Sequence, residues 1–122
     1  METASYQERL RRLALHDERL LEAIMAGDPT AGTAPCLDER SVALVRLGAL
    51  IAAGGPQSAF DAVVSRARDA GATVNQLVEA LMSAAPLVGS AHVVAAAPKL
   101  ATAVGYDVDF ALERFDTGDD RP

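Results

Sequence analysis

The apolar positions of this chain recur with the period of a helix. Leu10, Leu13, Leu20, Leu21 and Ile24 fall at helical spacing with charged residues between them, so a first helix is expected to carry one apolar and one wet face. Ser5-Tyr-Gln-Glu8 has the form of a capping box, in which each side chain satisfies a backbone donor at the other end, and it sets the expected start. Gly27-Asp28-Pro29 closes this helix, and the stretch from Gly27 to Pro35, rich in Gly, Pro and Thr, reads as a loop.

Asp38 is a good N-cap for a second helix, with Leu37 ahead of it as a staple. From Val42 to Ala53 that helix is apolar almost all round, which predicts a central position. Gly54-Gly55 stops it, and Pro56 opens a third helix with a stripe at Phe60, Val63, Val64 and Ala67. Ala70-Gly71-Ala72 ends the third. Thr73 with Gln76 forms a second capping box, followed by the stripe Val74, Leu77, Val78, Leu81 and Ala85, all expected to be buried. Pro86 is expected to separate this fourth helix from a fifth that runs to about Val104 and bends near Pro98. Asp107 can cap a short sixth through Val108, Phe110, Ala111 and Leu112. The polar tail 116–122 is expected to fray. No strand period survives, so the fold class is all-α, a bundle of about six helices in one domain, 1–122, with an N-terminal helix over 1–26.

Composition refines this picture. Half of the 122 residues are hydrophobic, but aromatics make up 4% and tryptophan is absent, so the apolar content is mostly Ala, Leu and Val. Such side chains suit closely packed helices, and a small chain of this kind gains by burying helix faces against copies of itself; a homo-oligomer is expected. The net charge of −6 argues against nucleic acid, which asks for a basic stripe, and against an anionic membrane surface. Arg9, Arg11 and Arg12 are offset by Glu8, Asp17 and Glu18 on the same segment. A single cysteine makes neither an internal disulfide nor a cysteine-rich zinc site, and the opening METASYQERLRR has no apolar signal stretch; a reducing, cytoplasmic setting is expected. The most apolar run, Ala84 to Val104, is interrupted by Pro86, His92, Pro98 and Lys99, a core pattern rather than a membrane span.

Few side chains carry chemistry. Arg46 lies inside VALVRLGAL, where burial would demand a partner: Glu39, Glu79 or a neighbouring subunit. The alternative is an anion site, since a guanidinium grips a carboxylate in two-pronged fashion. His92 in SAHVVAA is either a packed or interfacial histidine or the chain's best general acid or base, with an ordinary pKa of about 6.5. Glu79 stands beside the fourth stripe and can neutralise Arg46 or orient His92. His16 and Asp61 read as solvated, and Ser90 has no nucleophile-elbow context. Cys36 precedes a helix N-terminus, which lowers a thiol pKa, but it has no resolving partner. There is no Gly-rich phosphate loop, and neither a metal site nor a cofactor is expected.

The runs LDERSVALVRLGALIAAGG and AFDAVVSRARDAGATVNQLVEALMSAAPLVG resemble the carboxymuconolactone decarboxylase-like family, which includes the AhpD-type alkylhydroperoxidases. The likeness covers roughly Leu37 to Tyr106 and is most specific at the helix–AGAT–helix join, Ala70 to Thr73, and the LVEALMSAAPLVG that follows. It implies an all-helical subunit assembled into trimers or hexamers. Redox members carry Cys-x-x-Cys, then a histidine four residues on, at the start of the third helix, where one helix face lets a base activate a thiol. The corresponding positions here are Pro56, Ala59 and Val63, none of which ionises, so peroxidase or disulfide chemistry is not expected. The decarboxylating branch keeps a histidine near the third of these positions, where this chain has Val63.

Two functions follow as expectations. One is a cofactor-free lyase or isomerase-type enzyme acting on a small carboxylate or lactone. Loss of a carboxylate leaves a carbanion or enolate, so a cation and a proton donor are the minimum: Arg46 for the anion, His92 to move protons, Glu79 in support. The other is a non-catalytic homo-oligomeric scaffold that binds a ligand or a protein.

Overall fold

The computed structural model describes residues 2–27 and 36–106, with side chains from Tyr6 onward. The described residues contain six helices and no strand. The loop residues 28–35, the short helix expected after Asp107 and the tail lie outside them. The chain forms two compact units, Met1–Asp38 and Glu39–Pro122.

The first unit holds α1 (Glu2–Ala14) and α2 (Glu18–Met25), not the single helix that the apolar stripe predicts. Asp17 explains the break. It lies seven residues after Leu10, four after Leu13, three before Leu20 and seven before Ile24, so an unbroken helix would set a carboxylate in the middle of the apolar face. The chain instead turns at His16, whose φ of 60° is left-handed. The His16 N–H donates to the Leu13 carbonyl at 3.1 Å and the Asp17 N–H to the Arg12 carbonyl at 2.9 Å, the paired bonds of a Schellman end. Asp17 then caps α2, accepting from the Leu20 N–H at 3.1 Å, and its second carboxylate oxygen takes the Arg12 guanidinium at 2.8 Å. The expected stripe is largely wet: Leu20 is buried, whereas Leu10, Leu13 and Ile24 are exposed. The Ser5 cap also fails, because α1 begins at Glu2 and Ser5 has helical rather than extended backbone. The charge balance expected here does form, with Arg11 and Glu8 paired at 2.7 Å beside the Arg12–Asp17 bridge.

The second unit is a bundle of α3 (Glu39–Ala53), α4 (Gln57–Asp69), α5 (Val74–Val88) and α6 (Ser90–Ala103). Helix α3 packs on α4 and α5, α6 packs on the same two, and α3 and α6 touch across the diagonal. Phe60, Leu47, Ile51, Leu77 and Val64 are fully buried, joined by Ala43, Ala67, Ala72, Leu81, Ala96 and Leu100. The alanines among them leave room for close helix approach. Helix α3 touches every other helix of its unit along one stripe, Ala43, Leu47 and Ile51 with Leu44 and Leu50 half-buried beside them; Val45 on its far side is 62% exposed. The buried line of α5 is likewise narrower than its apolar residues suggest. Leu77 and Leu81 are buried, while Val74 and Val78, a rotation away on the flank, are exposed.

Two joins form as the local sequence dictates. Helix α4 ends on a second Schellman pair, Gly71 N–H to the Arg68 carbonyl and Ala72 N–H to the Ala67 carbonyl, with Gly71 at φ 99°. The capping box follows at once: the Gln76 N–H donates to Thr73 Oγ1 and the Thr73 N–H to Gln76 Oε1, each at 3.0 Å. Pro86 does not divide α5 from α6. It removes one hydrogen bond within the last turn, and α5 continues to Val88. The break falls at Gly89, whose φ of 89° and ψ of 158° lie in a region open essentially to glycine. Helix α6 therefore starts at Ser90 and continues through Pro98 to Ala103.

Candidate functional site

The start of α4 is where the sequence places Pro56, Ala59 and Val63. Pro56 is the N-cap, with extended backbone and no side chain closing the first turn. It is exposed, Ala59 and Val63 are half-buried, and Val63 packs on the core. Since α4 begins at Gln57, the three positions stand on its first two turns, where a thiol pair and a base would share a face. The chain fills that face with a pyrrolidine ring and two aliphatic groups.

A different set of polar contacts holds this corner. Lys99 of α6 donates from Nζ to the Gly55 carbonyl at 2.6 Å. Its ammonium also lies 5.9 Å from the centre of the Phe60 ring, within reach of a cation–π attraction. Gln57 returns the connection, its Nε2 donating to the Lys99 carbonyl at 2.8 Å and to Asp61 Oδ1 at 3.0 Å. Lys99 and Gln57 thus lock the α3–α4 turn to α6. In the sequence, Lys99 shows only as a lone cation in an apolar run; its acceptor is a main-chain carbonyl 44 residues away, which no local pattern reveals. An ammonium on a carbonyl, beside a phenyl ring, is neither a thiol nor a base. The corner can tether helices and attract an anion, but it holds no nucleophile–base pair.

Arg46 (α3), Glu79 (α5) and His92 (first turn of α6) are all exposed. Among the described residues no hydrogen bond or ion pair joins any two of them, and the ion pair expected between Arg46 and Glu39 or Glu79 is not made. Arg46 escapes the expected burial because α3 is covered along one line only, and residue 46 is about 100° round the helix from Leu47. His92 and Lys99, two turns apart, stand on one flank of α6. His16 and Asp61 are exposed as expected, the latter accepting from Gln57. Cys36 is an exposed free thiol. Among the described residues, no group of three or more His, Cys, Asp or Glu side chains is placed to hold a metal ion, and no helix is long and apolar enough to cross a membrane.

Comparison with known proteins adds one finding. The sequence pattern of the carboxymuconolactone decarboxylase family matches residues 18–102, about seven-tenths of the chain. No curated protein and no solved structure matches. The match opens at the first residue of α2 and reaches the last turn of α6, so α2 falls within the family region although the resemblance was legible only from Leu37. Helix α1 lies outside it. With all four bundle helices and the Gly71 join inside the match, the chain belongs to the carboxymuconolactone decarboxylase family.

Proposed function

We propose that this chain is a homo-oligomeric scaffold of its family that binds a small organic acid or a protein and does not use thiol chemistry. One observation carries the reading: α3, α5 and α6 each turn large apolar side chains to water, whereas α4 exposes none. Val45, Met82, Leu87 and Val94 are 62%, 67%, 91% and 71% exposed, whereas α4 turns Ser58, Asp61, Ser65 and Arg68 to water. Isolated apolar residues on a surface are ordinary, but three neighbouring helices presenting them together suit burial against another copy. The family resemblance implies trimers or hexamers. Light scattering tests the reading: an assembly of several 12.7 kDa subunits is expected, and a monomer at all concentrations overturns it. A single cysteine is consistent with a reducing, cytoplasmic setting.

A second reading, a cofactor-free lyase on a small carboxylate or lactone, is favoured by the cation and the imidazole on one flank of α6, Lys99 and His92. In it His92 moves the proton, Arg46 and Lys99 hold the anion, and Glu79 supports the imidazole. Release of carbon dioxide from a panel of small lactone acids, lost in His92→Ala and Arg46→Ala, is the expected result. No turnover, or turnover unchanged in both variants, rejects it.

A further inference from the structure

We infer that the Met82 thioether is an oxidation site through which a hydroperoxide weakens the association of subunits, an inference that rests on the homo-oligomer reading. Sulfur occurs in this chain at Met1, Met25, Cys36 and Met82 alone. Met82 is the only one of these within α3–α6, so an oxidant that attacks sulfur alters the bundle at a single atom. The side chain is open to that attack, with Met82 67% exposed on α5. Val78 lies one turn before it and Val74 one turn before that, 40% and 36% exposed, so the thioether ends a stripe of apolar groups facing water. The core contacts of α5 belong instead to Leu77 and Leu81, and Met82 has no place in that cluster.

The reaction needs only the hydroperoxide. A sulfur lone pair attacks one peroxide oxygen, an S–O bond forms and the O–O bond breaks. The proton of the attacked oxygen passes to the departing one. The thioether is oxidised by two electrons to the sulfoxide, and the peroxide is reduced to water or an alcohol. The product exchanges an apolar group for a strong hydrogen-bond acceptor. Water satisfies that acceptor on a free subunit, but an apolar face of another copy does not, so burial becomes costly. Because Met82 stands outside the core, the bundle itself stays folded and only its face changes. Met25, 83% exposed, offers the same chemistry in the N-terminal unit and serves as the control.

The test treats the chain with hydrogen peroxide and reads association by sedimentation over a dilution series. Peptide mass spectrometry locates the sulfoxides, and circular dichroism follows the fold. Cys36→Ser in every sample keeps the thiol out of the reaction. Oxidation at Met82 is expected to weaken association by about tenfold or more at unchanged helicity. Met82→Leu is expected to keep its association after the same treatment, and Met25→Leu to lose it as the native chain does. An oxidised chain that associates as before, or a Met82→Leu variant that loses association like the native chain, overturns the inference and leaves the oligomer standing. A chain that is monomeric at every concentration before oxidation overturns the homo-oligomer reading and the inference together.

Discussion

The Lys99 ammonium and the Gly55 carbonyl meet at 2.6 Å across the join of α6 with the α3–α4 turn. The contact stands at the start of the helix where redox relatives keep their thiols, and it makes that corner a tether. Replacing Lys99 with Met removes the hydrogen bond and the cation beside Phe60 while keeping the aliphatic stem. A loss of about 1–2 kcal/mol is expected, or roughly 5–15 °C in melting temperature for a domain of this size. Thermal melts of the two proteins check it, and an unchanged midpoint would show that the tether contributes nothing.

His16 holds at the end of α1 the left-handed position that Gly71 holds at the end of α4. A side chain there costs about 1–2 kcal/mol, part of which glycine returns as lost chain freedom. His16→Gly is expected to tighten the corner by up to about 1 kcal/mol, read as slower amide exchange at Asp17, and His16→Val to loosen it.

Asp17 gives this corner its response to acid. The Arg12 guanidinium first, and then the Leu20 N–H, hold its carboxyl below the ordinary aspartate value of 3.8. A carboxyl lowered in the folded state stabilises fully above its unfolded value and loses that contribution as pH falls through the folded one. The helical signal of the first unit is therefore expected to hold at neutral pH and to fall in acid as Asp17 takes up its proton, with Glu8, whose carboxyl the Arg11 hydrogen bond also lowers, adding to the loss. Asp17→Asn should weaken this dependence, leaving the part that rests on Glu8; an acid transition identical in the variant would assign it elsewhere.

Two glycines should respond differently to alanine. At Gly89 the backbone conformation itself excludes a side chain, although nothing stands within 4 Å of an added Cβ. At Gly55 the added Cβ would lie 2.9 Å from Leu50 Cδ1, the end of a flexible side chain that can turn aside. Gly89→Ala is expected to cost about 2 kcal/mol or more, and Gly55→Ala less than about 1 kcal/mol. Denaturant midpoints compare them, and the reverse order would refute the argument.

What the sequence made legible was local. Thr73 and Gln76 lie three residues apart and cap each other, so the α5 start could be read directly, and the two glycines at Gly54-Gly55 marked the end of α3 as clearly. Where a local signal was overridden, a neighbour decided: Asp17 broke a stripe that leucines alone would have continued, and Gly89 outweighed Pro86. The exposure of Arg46, Glu79 and His92 was not legible, because an apolar helix has no mark for which of its faces the bundle covers. Lys99 was hidden for another reason: its partner is backbone, which has no residue identity to recognise.

The elbow between α4 and α5 closes every bond it needs within Ala67 to Gln76. A join so self-sufficient forms with little loop entropy and asks nothing of the rest of the chain. Beyond the elbow α4 and α5 do not pack on one another, so α3 and α6, each of which rests on both, are what hold the two arms of the hinge at their angle.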